Sequence, residues 1–313
     1  MAEDKTPDPV VPPPAVTDRV KRATKQMDDR TPEWKEQMEF ARGNHYAYVN
    51  SRNVLSKQPV QATPQGRGKP KWRVRQSRNL LFSILDGKIS ASTQRVPNYE
   101  IVPSTTDHED ISGARLSEKI ARAGYDNWNI RRATEAAVWY ALVNGEAFVM
   151  PYWDTSIGPF VDDGEGGAVG IGDVGIKVYG APEVGWEPGC QFEDSPYYVI
   201  AHARPIESVM AHPDYLGGKL TPNADVDWRS TDDKPPTKMV MVTEYLERPS
   251  KKNPNGQHLT MANKREIFPK QDYPAKDARG RPIDAPCLHR LSYMTDPSSD
   301  RDEGLIKQLI DPM

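Results

Sequence analysis

The 313-residue chain contains only two cysteines, Cys190 and Cys287. Two cysteines are too few for a disulfide framework, and such low usage is typical of proteins from reducing compartments. Cys287 and His289 also lack the paired spacing that a structural zinc site requires. The sequence therefore predicts buried, unpaired cysteines and no structural zinc site.

Long apolar runs are also missing from the chain. No run is long enough to span a bilayer, and the first residues lack the apolar core of a signal peptide. Hydrophobic residues make up 37% of the chain and the mean hydropathy is −0.72, which indicates a lean core. The 29 prolines and 22 glycines indicate many loops. We therefore expect no membrane partner and a large share of surface, linker or intersubunit contact.

Motifs for hydrolytic chemistry are absent as well. The chain has no phosphate loop of the type G-x-x-x-x-G-K-[ST], no G-x-S-x-G motif and no His-Glu-x-x-His motif. Residues 170–175 match the spacing G-x-G-x-x-G, but "IKVYG" follows and is typical of a strand, which favours a loop between strands. The acidic run Asp107–Asp110 predicts helix capping rather than a cation site. These features favour a structural or binding protein, without enzyme activity and without a cofactor.

A local basic segment stands out against the formal net charge of −3. Proteins that coat nucleic acid by general attraction are usually strongly basic, so any such contact of this chain has to be local. The candidate residues are Lys69, Lys71, Arg73, Arg75 and Arg78. From the residues alone two interpretations stay open: non-specific contact with nucleic-acid phosphates, or the solvated end of a buried helix.

The first half of the chain reads as mostly helical. Residues 1–30 are expected to form a flexible Pro-rich arm, because the opening "MAEDKTPDPVVPPPAV" has few large apolar side chains. A helical part with the basic stretch follows at 31–155, and its first helix is predicted to start at Thr31. A second helix starts near Ser77, and the segment "YEIVP" after it predicts a short strand. The longest helix is predicted over 110–144, with Gly124 as a point of division.

The second half of the chain reads as strands and turns. A strand is predicted in "EAFVMPYWD", in which Pro151 indicates an edge position. A β-rich part extends over 156–250 and a hairpin with its connecting segment over 251–300, where Asn255-Gly256 suits a tight turn. Residues 301–313 read as the start of a helix. The fold class is therefore α+β, with long helices packed on a mostly antiparallel β-rich portion.

Several segments resemble a known family when they are taken in order. The first is "RVRQSRNLLFSILDGKISASTQRVPNYEIVPST", the second is "ATEAAVWYALVNGEAFVMPYWD", and the third is "VTEYLERPSKKNPNGQHLTMAN". Together with "IKVYGAPEVGWEPG" they resemble the N-terminal, wing-containing half of tailed-bacteriophage portal proteins, particularly those of phages that infect actinobacteria. The resemblance covers roughly residues 30–310.

The resemblance implies a non-catalytic ring, usually of twelve subunits, at one vertex of a capsid. Double-stranded DNA passes through such a ring during packaging and ejection. In such a ring the basic segment would contact either the acidic face of the next subunit, which we favour, or the packaged DNA. The implied partners are further copies of the chain, the major capsid protein, the large terminase subunit, a head-tail adaptor and double-stranded DNA. The implied location is the virion, with assembly in the host cytoplasm, and the last helix would lead into a stem and clip that this chain lacks. The alternatives are a DNA-binding phage protein that uses residues 67–78, or a phage enzyme with its site in the β-rich part.

Overall fold

The computed structural model of the chain shows an α+β fold. It describes residues 11–44, 48–49, 55–56, 79–95, 100–154, 158, 160–162, 168–212, 214–223, 238–276, 280–295, 299 and 301–310. The helices are α1 (Pro14–Ala41), α2 (Leu80–Thr93), α3 (His108–Asn127), α4 (Ile130–Asn144), α5 (Ile206–Met210) and α6 (Leu305–Ile310). The strands are β1 (Tyr48–Val49), β2 (Leu55–Ser56), β3 (Glu146–Asp154), β4 (Phe160–Asp162), β5 (Ala168–Gly170), β6 (Asp173–Gly180), β7 (Val184–Trp186), β8 (Tyr197–Pro205), β9 (Met239–Glu247), β10 (Gln257–Ala262), β11 (Arg265–Glu266) and β12 (His289–Ser292).

Two antiparallel sheets form the centre of the fold. The larger sheet has the order β11-β10-β9-β8-β7 and the smaller one the order β12-β3-β6. Two short pairs, β1 with β2 and β4 with β5, are separate from them. The α+β class and the antiparallel β-rich portion predicted from the sequence are therefore confirmed.

The sheets and helices pack in layers, because alternate side chains of a strand point to opposite faces. On β8, Tyr198 and Ile200 face the smaller sheet and pack with Phe148 of β3. The neighbouring residues Tyr197 and Val199 face the other way, against the first half of α1. The far face of the smaller sheet is covered by α4, through alanine contacts. The order of layers is therefore the first half of α1, the larger sheet, the smaller sheet and α4, and the second half of α1 packs directly with α4 and α6.

Helix α1 starts earlier than the sequence analysis expected. It begins at Pro14 rather than at Thr31, so the prediction of a flexible arm is wrong for residues 14–30. The missed signal is the apolar spacing of Val16, Val20, Ala23 and Met27, which turns one stripe of the helix toward the larger sheet. Proline at the first helical position is favourable, since its missing N–H has no acceptor there.

The long helix predicted over 110–144 is divided into α3 and α4. The break lies at Trp128 and Asn129, where Asn129 takes a φ of 51°, and not at Gly124. Gly124 lies under the Trp128 indole, and a Cβ atom there would overlap the ring. The Trp128 ring N–H donates a hydrogen bond to Asp173 of β6 over 2.7 Å, which fixes the break against the smaller sheet.

Several predictions of strands and turns hold and one is wrong. Strands β6, β8 and β9 lie where they were predicted, and a strand rather than a helix follows the glycines of 170–175. The predicted strand "YEIVP" is wrong for the described residues 100–103, which form no strand. Asn255 and Gly256 do lie in a tight turn, since the Gly256 N–H donates a hydrogen bond to the Asn253 carbonyl over 3.0 Å, and this turn ends the longer loop 248–256 between β9 and β10. A two-residue hairpin turn comes one hairpin later, at Asn263-Lys264, where both residues take positive φ values.

The predicted edge position of Pro151 agrees with the strand pairing of β3. Strand β12 pairs only with residues 146–149, so the β12 side of Pro151 has no strand partner among the described residues. The helix predicted near the C-terminus is α6, which packs with α1, α2 and α4. Each of the two central sheets contains strands from more than one predicted domain. The predicted domain boundaries therefore stay predictions.

Candidate assembly surface

The five candidate cations Lys69, Lys71, Arg73, Arg75 and Arg78 lie outside the described residues. The first described residue after them is Asn79, which caps α2. Its side-chain oxygen accepts a hydrogen bond from the Phe82 N–H over 3.1 Å. Its side-chain amide donates to the Ala41 carbonyl at the end of α1 over 3.1 Å. In the sequence, the basic stretch therefore ends one residue before the cap of α2.

Helix α2 has apolar residues on two opposite sides. Its inner side carries Leu81, Leu85 and Ile89, which pack with α1, α4 and α6. A second row follows the spacing 4, 3, 4 on the opposite side, and it consists of Leu80, Ile84, Gly87 and Ala91. All four of these residues are exposed, with Leu80 at 64% and Ile84 at 47%. We call this row the outer stripe of α2.

Helix α3 repeats this arrangement. Its inner side buries Ala114 and Tyr125, and the helix packs against α4. A row on the opposite side follows the spacing 3, 4, 3, and it consists of Gly113, Leu116, Ile120 and Ala123. All four residues are exposed, with Leu116 at 59% and Ile120 at 53%. We call this row the outer stripe of α3.

The two outer stripes are unusual for helices at the surface of a protein. A surface helix normally has one apolar side toward the core and one polar side toward water. A single exposed leucine needs no explanation, whereas an organised apolar row indicates a contact surface. Two such rows on one chain are therefore the strongest indication of a macromolecular partner in the described part of the protein.

A buried ion network holds the segment before α6, and the sequence analysis missed it. Glu146 accepts a hydrogen bond from Arg301 over 2.6 Å, and both side chains are fully buried. Arg290 forms ion pairs with Glu146 at 2.9 Å and with Asp302 at 2.8 Å. The Arg301 guanidinium lies 3.7 Å from the centre of the Trp186 ring. Two acids and two bases thus balance each other in the interior.

This network depends on the close approach of two backbone segments. Gly145 takes a φ of 97°, and a Cβ atom there would overlap the Asp302 carbonyl. A Cβ atom at Gly304 would likewise overlap the Val143 carbonyl. Burial lowers the pKa of Arg301, and the Glu146 carboxylate opposes that effect. The arrangement is structural, since it fastens the start of α6 to β3 and α4. A charged residue opening an apolar strand, as in "NGEAFVM", was the available sequence signal.

A second polar cluster lies on the larger sheet. Glu244 is buried and lies 3.2 Å from the His258 ring, measured from Oε2 to Nε2. Burial acts to raise the pKa of Glu244, but the His258 hydrogen bond and charge outweigh it and lower the pKa to about 2. Nearby Arg204 donates a hydrogen bond to His202 over 2.6 Å. The Tyr179 hydroxyl faces the same cluster, and burial raises its pKa.

A groove of about 650 Å³ opens between α1 and the larger sheet. Its walls include Val20 and Lys21 of α1, Met241 of β9 and Met261 of β10. The side chains that line it include no carboxylate, imidazole or thiol. The groove is therefore lined mainly by apolar and neutral polar side chains, and Lys21 and Lys264 are its charged groups.

The two cysteines are free. Cys287 is buried, as predicted, and burial raises the pKa of its thiol to about 11. Cys190 is only half-buried, so the prediction of a buried residue is wrong there.

Within the described ranges, no three side chains of the His, Cys, Asp and Glu types come together in a way that would hold a metal ion. Asp107 directly precedes α3, but its side chain caps no N–H group of the helix, so the predicted capping is wrong for Asp107. Asp110, in the first turn, accepts hydrogen bonds from the Ser104 and Thr105 hydroxyls. None of the helices in this part of the chain is both long and apolar enough to cross a membrane. The chain matches no protein-family model and no curated protein sequence.

Proposed function

We propose that the chain is a structural subunit of a homo-oligomeric ring, of the type that forms the portal of tailed bacteriophages. The observation that carries this proposal is the pair of outer stripes on α2 and α3. Each stripe presents large apolar side chains to solvent, and burial of such side chains is the main favourable contribution to protein association. A chain that keeps two such surfaces is suited to contact two neighbours.

The layered fold supports this proposal. The two central sheets share an aromatic core that contains Trp186, Phe192 and Tyr198, so the body of the subunit is rigid. The buried network around Glu146 and Arg301 fastens α6 to that body. In the portal interpretation, α6 leads toward the stem, and a firm attachment transmits force between stem and wing.

The remaining parts of the proposal come from the family resemblance. The ring would contain about twelve copies and stand at one vertex of the capsid, in contact with the major capsid protein. The large terminase subunit and a head-tail adaptor would bind elsewhere on the ring, and double-stranded DNA would pass through its channel. The ring would perform no catalysis. It would assemble in the host cytoplasm and remain in the virion.

The basic stretch has a place in this proposal. Its five cations precede α2, whose outer stripe is a proposed subunit contact. A cationic segment beside a subunit contact steers an acidic neighbour into position, and electrostatic complementarity of this kind raises the rate of association. We therefore assign Lys69, Lys71, Arg73, Arg75 and Arg78 to subunit contact in preference to DNA contact.

The proposal is tested by the mass and the shape of the purified full-length chain. Mass photometry and negative-stain electron microscopy should show rings with a central channel, at a mass that is a multiple of 35.1 kDa. Monomers or dimers that stay monodisperse at micromolar concentration would contradict the proposal. A chain that instead binds DNA as a monomer would favour the alternative of a DNA-binding protein.

A further inference from the structure

We infer that the outer stripe of α2 in one copy packs against the outer stripe of α3 in the next copy. This inference rests on the proposed ring and names the contact from which the ring is built. Its partner is a second copy of this chain, and its two surfaces lie on different helices. A contact of that kind is head-to-tail and can close into a ring.

The residue sizes along the two stripes fit each other. The α2 stripe has large residues first and small ones last, and ends with Gly87 and Ala91. The α3 stripe has its large residues, Leu116 and Ile120, in the middle. When the two stripes are aligned in either direction, Gly87 of α2 lies opposite a large residue of α3, Ile120 or Leu116. Small residues at a helix contact let the backbones approach closely, so the pairing can pack without gaps.

Gly87 is the residue that most favours this pairing. Glycine weakens the middle of a helix relative to alanine. A Cβ atom at Gly87 would meet no described atom within 4 Å, so packing inside the described chain does not require glycine there. A glycine at this position would instead allow a helix from another copy to approach α2 closely.

Pairing of like stripes explains the surface less well. A contact between two α2 stripes would leave the α3 stripe of each copy exposed. A contact between two α3 stripes would bring Arg115 and Lys119 of both copies together, and like charges at an interface oppose association. A contact between α2 and α3 covers both stripes in every copy of a closed ring.

Disulfide trapping between two differently tagged chains tests the inference. The full-length chain would carry Cys190→Ser, which removes the half-buried thiol. One chain would also carry Ile84→Cys, and the other Leu116→Cys or Ile120→Cys. The chains would be mixed under denaturing conditions, refolded together and oxidised mildly. A disulfide forms only when the two Cα atoms lie within about 7 Å.

The expected result is a cross-linked band that contains both tags and is at least tenfold stronger than either single-tag band. Dominant bands from Ile84→Cys alone would overturn the inference in favour of α2 self-pairing. Rings without any cross-link would overturn it while leaving the proposed function intact. Monomers before and after mixing would contradict both the inference and the proposed function.

A steric variant checks the same contact without cysteines. Gly87→Gln places a long side chain on the outer stripe of α2, where the isolated chain has room for it. The matched control Ser92→Gln adds the same side chain to an exposed position on the other side of α2 from Gly87. We expect the ring fraction to fall at least tenfold with Gly87→Gln and to stay near wild type with Ser92→Gln. Equal ring fractions in the two variants would overturn the inference.

Discussion

At the scale of single residues, the interior of this protein depends on paired charges. Arg301 and Glu146 are fully buried, and Arg290 and Asp302 complete a set of four. A buried charge is tolerated only when a partner of opposite sign lies beside it, because the loss of hydration is costly. Removal of one partner therefore harms the protein more than the pair itself stabilises it.

We predict that Arg301→Met lowers the free energy of unfolding by on the order of 3–5 kcal/mol, since it leaves an excess negative charge in the interior. The control is Lys307→Met, which breaks the partly exposed pair between Lys307 and Glu303. That variant should cost less than about 1 kcal/mol. Urea unfolding followed by circular dichroism measures both changes, and equal losses would contradict the prediction.

The pH dependence of stability follows from Glu244. Its folded pKa of about 2 lies below the ordinary value of 4.5, so the ionised form is favoured in the folded protein. The stabilisation is present above the unfolded pKa and disappears as the pH falls from about 4.5 to about 2. We predict that Glu244→Gln destabilises the protein by on the order of 3 kcal/mol at pH 7. The difference from wild type should shrink toward pH 2 in urea titrations, and a difference independent of pH would contradict the prediction.

At the scale of elements, α3 and α4 depend on a single close contact at their break. The Trp128 indole covers Gly124 and reaches Asp173, so the two helices and β6 meet at one side chain. Packing of this kind leaves no free volume for an added methyl group, because protein interiors are as dense as organic crystals. The glycines of α3 therefore differ sharply in what they tolerate.

We predict opposite effects for alanine at two glycines of α3. Gly124→Ala should lower the free energy of unfolding by about 1–3 kcal/mol, because the new methyl group displaces the Trp128 ring. Gly113→Ala meets no described atom within 4 Å and should raise it by up to about 1 kcal/mol through helix propensity. Thermal and urea unfolding give both values. Stabilisation by both substitutions would mean that the indole moves freely.

At the scale of the whole molecule, the charge balance requires that any attraction to nucleic acid be local. The net charge is −3, and the cations of the basic stretch precede a helix with an exposed apolar stripe. Two surfaces are therefore candidates for these cations, an acidic neighbour and DNA. Loss of the cations would impair ring assembly if they contact a neighbouring subunit, and DNA retention if they contact DNA.

We predict that the triple substitution Arg73→Glu, Arg75→Glu and Arg78→Glu impairs ring assembly, since like charges across an interface cost up to several kcal/mol. Size-exclusion chromatography beside the wild-type protein measures the ring fraction. The control is the triple substitution of the same residues by glutamine, which removes charge without reversing it and should impair assembly less. Normal rings with weaker DNA retention and a shallower salt dependence would instead assign the arginines to DNA contact.

The sequence by itself determined the fold class and the four long strands β3, β6, β8 and β9. Strands β6, β8 and β9 follow alternating patterns that depend only on neighbouring residues, so they are visible in the chain. The start of α1 was missed because prolines around Pro14 dominate the composition, whereas the apolar stripe from Val16 to Met27 becomes clear only against the larger sheet. Local patterns show which element forms, but not which surface it covers.

Only the tertiary structure decided which apolar residues stay exposed. Leu80 and Leu85 look alike in the sequence, yet Leu85 is buried on α4 and Leu80 is exposed on the opposite side of α2. The ion network is likewise invisible in the chain, since 155 residues separate Glu146 from Arg301. Burial and charge pairing depend on contacts between residues far apart in the chain, and such contacts exist only after the layers have packed.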